Sequence, residues 1–192
     1  MFVLSTYVIG YPMIVSIIWV VGSVFFAVKE KEVPLIDTHK GKPADLVSVM
    51  IPAHNEGQTL NSVVDSVAHL NYPNLELILI DDGSKDNTLD VMKALKKQYR
   101  SKFPIKIVVI NPNGGKANAL NIGIDYADGP FLLCLDADCY VDSEALNLMI
   151  KRFYDNPSVG AVAGKPVVRN RTSLLGRLQL LEYIGVIDII KR

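Results

Sequence analysis

Hydrophobic and polar positions alternate along residues 46–164 in a pattern typical of strands that are each followed by a helix. Five short apolar runs predict strands: LVSVMI (46–51), ELILI (76–80), IKIVVI (105–110), FLLCL (131–135) and GAVAG (160–164). Between the runs, apolar residues such as Leu60 and Val63 recur at helical spacing. Further helices are predicted over about 116–126 and from a cap at Ser143. This alternation predicts an α/β fold with a mostly parallel sheet and helices on both faces.

The first 28 residues differ from the rest, because no side chain that is charged at neutral pH occurs before Lys29. At about 1.5 Å per residue, this apolar run exceeds the roughly 30 Å hydrocarbon core of a bilayer. It predicts a transmembrane helix over residues 1–28, followed by a linker over 29–45. A cleavable signal peptide is the alternative, but it needs a basic segment ahead of a shorter apolar run. Lysines at 29, 31, 40 and 42 instead predict an outer N-terminus, a cytoplasmic domain and location in the cell membrane.

The composition excludes some classes of function. Lys+Arg and Asp+Glu both number 20, so the chain lacks the basic excess of a nucleic-acid-binding protein. Cys134 and Cys139 are too few and too close together to predict a disulfide framework in a chain of this size. A zinc site that combines them with His54 has no supporting ligand spacing.

Polar clusters follow four of the predicted strands: PAHNE, DDGS, NPNGGK and DADCYVD. Because the carboxyl ends of parallel strands meet at one edge of a sheet, and ligands bind there, these clusters predict a single site. In the last cluster, Asp136 and Asp138 are two residues apart, so in an extended segment both carboxylates point the same way and favour Mg²⁺ or Mn²⁺. Asp142, just before a predicted helix, is as consistent with a cap as with chemistry.

The other loops predict groups that bind an anion or a nucleoside. The segment NGGKANALN lacks the first Gly and the Ser/Thr of a P-loop, but it delivers Lys116 to a helix start, where an anion can bind. Asp81 and Asp82 could accept from a base N–H or a ribose hydroxyl, whereas Asp86 is explained by helix capping alone. His54 could serve as a base or as a stacking surface.

The ordered segments IPAHNE, IDDGSKDNT, NGGKANALNIGI, LDADCYVD and GAVAGKPVVRNRTSLLGRLQLLEY resemble family 2 glycosyltransferases. The closest resemblance is to membrane synthases of poly-β-1,6-N-acetylglucosamine, followed by chitin and hyaluronan synthases. It implies the GT-A fold, a Rossmann-like, mostly parallel sheet, over residues 46–192, with the domain cut short at its C-terminal end. The family usually has Tyr where this chain has His54.

The resemblance also implies roles for individual residues. The donor nucleotide is expected to contact Pro52, His54, Glu56, Asp81, Asp82, Lys116 and Asp136. Asp136 and Asp138 are implied to hold Mg²⁺ or Mn²⁺. The catalytic base belongs to a T-E-D-like motif that does not occur in this sequence, so it is expected beyond Arg192.

The function implied is that of an inverting glycosyltransferase that uses a UDP-sugar, UDP-N-acetylglucosamine above all, to build a β-linked polysaccharide. The expected partners are a glycan or lipid-linked acceptor, the membrane, and further transmembrane segments or an accessory membrane subunit. Two alternatives stay open: a nucleotide-sugar-binding module without turnover, and a non-processive polyprenyl-phosphate glycosyltransferase.

Overall fold

The structure, a computed structural model, describes residues 10–18, 20–22, 44–167 and 176. Residues 10–18 and 20–22 are helical. Within the described ranges, no helix combines the length and the apolar character needed to span a bilayer. The remainder of the predicted transmembrane helix, most of the predicted linker, and residues 168–175 and 177–192 lie outside the described part of the chain.

Among the described residues of the larger compact unit, Asp37–Val162, four strands alternate with four helices. The strands are β1 (Val47–Ala53), β2 (Leu75–Asp82), β3 (Ile105–Ile110) and β4 (Phe131–Cys134). The helices are α1 (Leu60–Ala68), α2 (Thr88–Tyr99), α3 (Lys116–Ile124) and α4 (Ala145–Asp155). The first four predicted strands and the predicted helices between and after them are confirmed.

The four strands are parallel and lie in the order β3-β2-β1-β4. The chain moves outward from β1 through β2 to β3 and then crosses back to place β4 on the other side of β1. The direction of winding therefore reverses between β1 and β4. Ligands of open α/β sheets bind beyond the carboxyl ends of the strands at such a reversal. This topology confirms the predicted parallel sheet. It also predicts a ligand site at the carboxyl ends of β1 and β4.

Helices cover both faces of the sheet, as the sequence predicts. On one face, alternate residues of β1 and β2 pack against apolar residues of α1, α2 and α4, among them Leu60, Val64, Met92, Leu95, Leu146 and Ile150. On the other face, Met50, Ile78 and Ile80 pack against Ala119 of α3. Helix α3 approaches the sheet closely because Gly123 has no side chain; a Cβ there would lie 2.5 Å from Ile80 Cδ1.

Near the amino end of β2, the carboxylate of Glu76 is buried, with 3% of its side chain exposed. Its Oε1 accepts hydrogen bonds from the Ser48 hydroxyl (2.6 Å) and the Asp128 backbone N–H (2.7 Å). Its Oε2 lies 2.8 Å from the Lys106 ammonium, which also contacts Asp128 Oδ2 at 2.6 Å. This network joins β1, β2 and β3 to the turn between α3 and β4, at the end of the sheet away from the carboxyl ends of the strands.

Two local predictions are wrong. Residues 160–164 (GAVAG) do not form a strand, because Gly and Ala contribute little side-chain packing and have low strand propensity. Ser143 does not cap α4. A turn precedes this helix, closed by a 3.0 Å hydrogen bond from the Ala145 N–H to the Asp142 carbonyl, and α4 starts at Ala145 with Glu144 as its N-cap residue.

Candidate functional site

A pocket of about 200 Å³ opens where the winding of the sheet reverses, at the carboxyl ends of β1 and β4. It is lined by Pro52, Ala53, His54, Glu56, Asp82, Lys116, Asp136, Ala137 and Asp138. The structure thus brings together seven of the eight residues that were predicted to bind the donor or a cation. The eighth, Asp81, is buried beside the pocket but does not line it.

The loop after β1 is held by the loop between β2 and α2. The Glu56 N–H donates to Thr88 Oγ1 (2.9 Å), and the Asn55 N–H donates to Ser84 Oγ (3.0 Å). The Glu56 carboxylate accepts from Thr59 Oγ1 at 2.8 Å, which fixes it at the start of α1. The Asp86 carboxylate accepts from the Thr88 N–H, at the first residue of α2, and from the Gly57 N–H, although the N-cap residue of α2 is Asn87. These contacts therefore attach the loop after β1 to the segment that leads into α2.

Asp82, at the end of β2, binds the loop that precedes Lys116. Its two carboxylate oxygens accept hydrogen bonds from the backbone N–H groups of Gly114 and Gly115, both at 2.8 Å. The side chain of Asp82 is almost fully buried. The close approach also depends on Gly83, whose φ is +69° and whose Cβ would lie 2.8 Å from the Asn113 nitrogen. Asp82 therefore positions the loop, a role that was not predicted from the sequence.

The backbone carbonyl of Asp82 is a second point of attachment. It accepts a hydrogen bond from Asn113 Nδ2 at 2.8 Å and lies 2.7 Å from His54 Nδ1. Asn113 is a site residue that the sequence analysis missed. Asn113 lies after a strand and directly before two glycines. This position could have identified it, because an Asn there is placed to form a hydrogen bond across a turn. Asp81 has a local contact instead, accepting from the Ser84 N–H at 3.1 Å.

Lys116 begins α3 and reaches across the pocket to the segment after β4. Its ammonium nitrogen lies 2.5 Å from Asp136 Oδ1. The hydrogen bond from this lysine to Asp136 raises the pKa of Lys116, with a further contribution from the negative charge of Asp138. Both side chains of the pair are about half exposed, so the pair is worth little to stability and can exchange partners.

The sequence predicts an extended segment for Asp136 and Asp138, and this prediction is wrong. The two residues lie in a turn. Strand β4 ends at Cys134, and the Cys139 N–H closes the turn on the Asp136 carbonyl at 3.1 Å. Ligand atoms of Asp136, Asp138 and Cys139 nevertheless all lie within 4.8 Å of one another. Two accessible carboxylates at this spacing fit a hard divalent cation that takes its other ligands from phosphate and water.

Cys139 contributes a thiol to the edge of this cluster. Burial raises its pKa, as do the hydrogen bond that its sulfur makes to Asp138 Oδ1 (3.4 Å) and the charges of both aspartates. The thiol therefore stays protonated and acts as a weak donor to Asp138. Asp142, the third carboxylate of this segment, accepts from the Glu144 N–H at 3.0 Å and stabilises the turn before α4.

The contacts of Asp82 lead to a stability prediction. In Asp82→Asn, one carboxylate oxygen becomes an NH₂ group that faces a backbone N–H, so one hydrogen bond is lost and a buried donor is left unpaired. We expect the free energy of unfolding to fall by about 1.5 kcal/mol, with faster amide exchange at Gly114 and Gly115. Urea denaturation and hydrogen exchange measure the two effects. Unchanged exchange at both glycines would show that Asp82 does not hold the loop.

Comparison with known sequences places the chain among glycosyltransferases. The sequence model of glycosyl transferase family 2 matches residues 48–187. The poly-β-1,6-N-acetyl-D-glucosamine synthase of Staphylococcus epidermidis is 40% identical over 189 residues, which is 97% of this chain and 45% of that protein. The synthase of Staphylococcus aureus strain COL is 36% identical over 194 residues, with the same coverage. The chain thus spans less than half the length of these curated relatives.

Solved structures share the fold. The mannosyltransferase PcManGT of Pyrobaculum calidifontis, in complex with GDP-Man and Mn²⁺, aligns with a TM-score of 0.68 at 23% identity over 88% of this chain and 47% of that one. S. aureus TarS (residues 1–349) in complex with UDP-GlcNAc aligns with a TM-score of 0.52 at 23% identity, over 65% and 38%. The structures show the shared fold, while the match over residues 48–187 and the 40% identity to a synthase show that this chain belongs to glycosyl transferase family 2.

Proposed function

We propose that this chain is the donor-binding part of an inverting hexosyltransferase that uses a UDP-sugar, with UDP-N-acetylglucosamine as the expected donor, to extend a β-linked polysaccharide. The observation that carries the proposal is the pocket itself, in which His54, Asp82, Lys116, Asp136 and Asp138 converge. Family membership and the identity to poly-β-1,6-N-acetyl-D-glucosamine synthases support it.

The residues of the pocket fall into two groups that suit the two ends of a nucleoside diphosphate. His54 lies after β1, and Asp82 at the end of β2 binds the loop between β3 and α3; together they offer hydrogen-bonding groups to a nucleoside. Lys116 and the turn with Asp136 and Asp138 lie toward β4 and offer charge. We assign the nucleoside to the first group and the diphosphate to the second.

Lys116 has to change partners for this assignment to work. Its ammonium neutralises Asp136 in the structure. A diphosphate carries more negative charge than one carboxylate, so it is the stronger partner for the ammonium. Transfer of Lys116 to the diphosphate leaves the Asp136 carboxylate available beside Asp138. These two residues would hold Mg²⁺ or Mn²⁺, which when bound stabilises the negative charge of the departing diphosphate.

The remaining parts of the reaction are assigned only as proposals. The base that deprotonates the acceptor hydroxyl is expected in the T-E-D-like motif of the family, which this sequence does not contain. A glycan or lipid-linked acceptor, attachment to the membrane through residues 1–28 and a cytoplasmic location for the pocket stay predictions from the sequence.

Calorimetry with the purified full chain tests the proposal. We expect UDP to bind saturably in Mn²⁺ and much more weakly in EDTA, and UDP-N-acetylglucosamine to compete for the same site. A chain that binds neither compound in Mn²⁺ contradicts the proposal. Turnover of radiolabelled UDP-N-acetylglucosamine is then measured with this chain and with a version extended at its C-terminus. Tight binding without turnover in either would favour the nucleotide-sugar-binding module.

Lys116→Ala separates the diphosphate from the nucleoside. Because the lysine is assigned to the diphosphate, we expect this variant to lose about tenfold in affinity for UDP, as for the loss of one charge-assisted hydrogen bond. Its affinity for uridine should change less than twofold. Lys85→Ala is the matched control, since Lys85 is a lysine of a neighbouring loop that does not line the pocket. Equal losses for UDP and uridine would remove the diphosphate assignment.

A further inference from the structure

His54 is held at the pocket wall by a contact that determines which of its ring nitrogens carries a proton. Its Nδ1 lies 2.7 Å from the carbonyl oxygen of Asp82. A carbonyl oxygen can only accept a hydrogen bond, so Nδ1 must be the donor. Two lone pairs facing each other at this distance would repel, which excludes the other arrangement.

Asn113 bonds to the same carbonyl oxygen as His54. Its Nδ2 donates to the Asp82 carbonyl at 2.8 Å and stands 3.0 Å from His54 Nδ1. The two donors share one acceptor. The second N–H of the Asn113 amide could donate to Nδ1 only if that nitrogen were unprotonated, which the 2.7 Å contact with the carbonyl excludes. The oxygen of Asp82 thus receives two hydrogen bonds, as its two lone pairs allow.

The opposite nitrogen of the ring is then an acceptor. In a neutral imidazole with the proton on Nδ1, Nε2 carries a lone pair and no hydrogen. Within the described part of the chain, no hydrogen bond to His54 Nε2 is formed, while the ring lines the pocket. Nε2 is on the far edge of the ring from Asp82. The pocket therefore presents a fixed acceptor whose tautomer the backbone determines.

Resting on the function proposed above, we infer that His54 is a specificity-determining residue that accepts a hydrogen bond, through Nε2, from the nucleoside of the donor. The nucleoside offers two kinds of donor: the N3–H of uracil and the ribose hydroxyls. Cytosine has an unprotonated N3 with a lone pair in the same place, so an acceptor at Nε2 also selects against it. A tyrosine at this position could stack on a base but would present a hydroxyl that both donates and accepts.

Four nucleotides distinguish the possible contacts: UDP, 3-methyl-UDP, 2′-deoxy-UDP and 3′-deoxy-UDP, each titrated calorimetrically into the full chain in Mn²⁺. The wild type should lose about five- to tenfold in affinity with one of the three analogues, the value of one hydrogen bond. Loss with 3-methyl-UDP assigns the contact to the base, and loss with a deoxy analogue assigns it to the ribose.

Two variants attribute the loss to Nε2. In His54→Asn, the amide nitrogen can replace Nδ1 and keep the contact with Asp82, but nothing occupies the position of Nε2. In His54→Gln, the amide oxygen can occupy the Nε2 position and accept. We expect His54→Asn to bind UDP five- to tenfold more weakly and to discriminate less than twofold between UDP and the sensitive analogue. His54→Gln should keep most of the discrimination.

The outcomes are distinguishable. If the wild type binds no UDP, the proposed function fails and this inference fails with it. If the wild type binds UDP and discriminates against an analogue, but His54→Asn discriminates equally well, another group accepts the hydrogen bond and only the inference is overturned. Equal affinity of the wild type for all four nucleotides overturns it as well. Circular dichroism of both variants confirms that the fold is unchanged.

Discussion

Asp138→Asn should lose at least about 100-fold in affinity for UDP measured in Mn²⁺. Removal of an outer-shell partner already costs a metal site roughly 10- to 100-fold, and we assign Asp138 to direct contact with the cation. Its carboxylate belongs to the cluster with Asp136, in which all ligand atoms lie within 4.8 Å of one another. The Asn side chain keeps the size and one oxygen of the carboxylate but not its charge. Titration calorimetry at fixed Mn²⁺ measures the loss.

The same variant should behave differently in EDTA. Without a cation, the charge of Asp138 repels the diphosphate, so Asp138→Asn should bind UDP as well as the wild type or slightly more tightly. Asp142→Asn is the matched control, because Asp142 is four residues away and bonds to the Glu144 N–H outside the pocket; its affinity for UDP should not change. A loss for Asp138→Asn that is equal in Mn²⁺ and in EDTA would show that Asp138 does not bind the cation.

The two central strands, β1 and β2, could be predicted from the sequence because they are almost entirely buried on both faces. Runs such as ELILI have no polar interruption beyond Glu76, and their remaining residues are all Leu or Ile. The run at 160–164 consists of two Gly, two Ala and a single Val, so it lacks the side chains that pack in a strand. Local composition was sufficient for runs of large apolar residues, including the partly exposed strands β3 and β4, and misleading for a run of Gly and Ala.

The site could be predicted as a set of residues but not as a set of contacts. Polar residues after parallel strands must meet at one edge, and seven of the eight expected residues do line the pocket. The use of each group depended on backbone geometry that composition does not encode. Asp82 binds the N–H groups of Gly114 and Gly115, and its carbonyl fixes the tautomer of His54.

The buried network around Glu76 was also beyond prediction, because the partners of Glu76 lie 28 to 52 residues away from it in sequence. Burial by itself raises the pKa of Glu76, but hydrogen bonds from Lys106, Ser48 and the Asp128 N–H outweigh it and hold the pKa below its usual range. Lys106 contacts one buried and one exposed carboxylate: 3% of the Glu76 side chain and 72% of the Asp128 side chain are exposed. One lysine thus allows a buried and an exposed partner to be compared directly.

Glu76→Gln should lower the free energy of unfolding by about 3 kcal/mol at pH 7, the cost of breaking a buried pair while its partner keeps some contact with water. Asp128→Asn removes the exposed partner of the same lysine and should cost at most about 0.5 kcal/mol. Because folding lowers the pKa of Glu76, its contribution is complete above about pH 4.5 and is lost as the pH falls through the folded-state value. Urea denaturation, followed by circular dichroism between pH 7 and pH 3, should therefore show the gap between wild type and Glu76→Gln narrowing only at the acid end. Equal losses for the two variants at pH 7 would mean that burial does not set the strength of this pair.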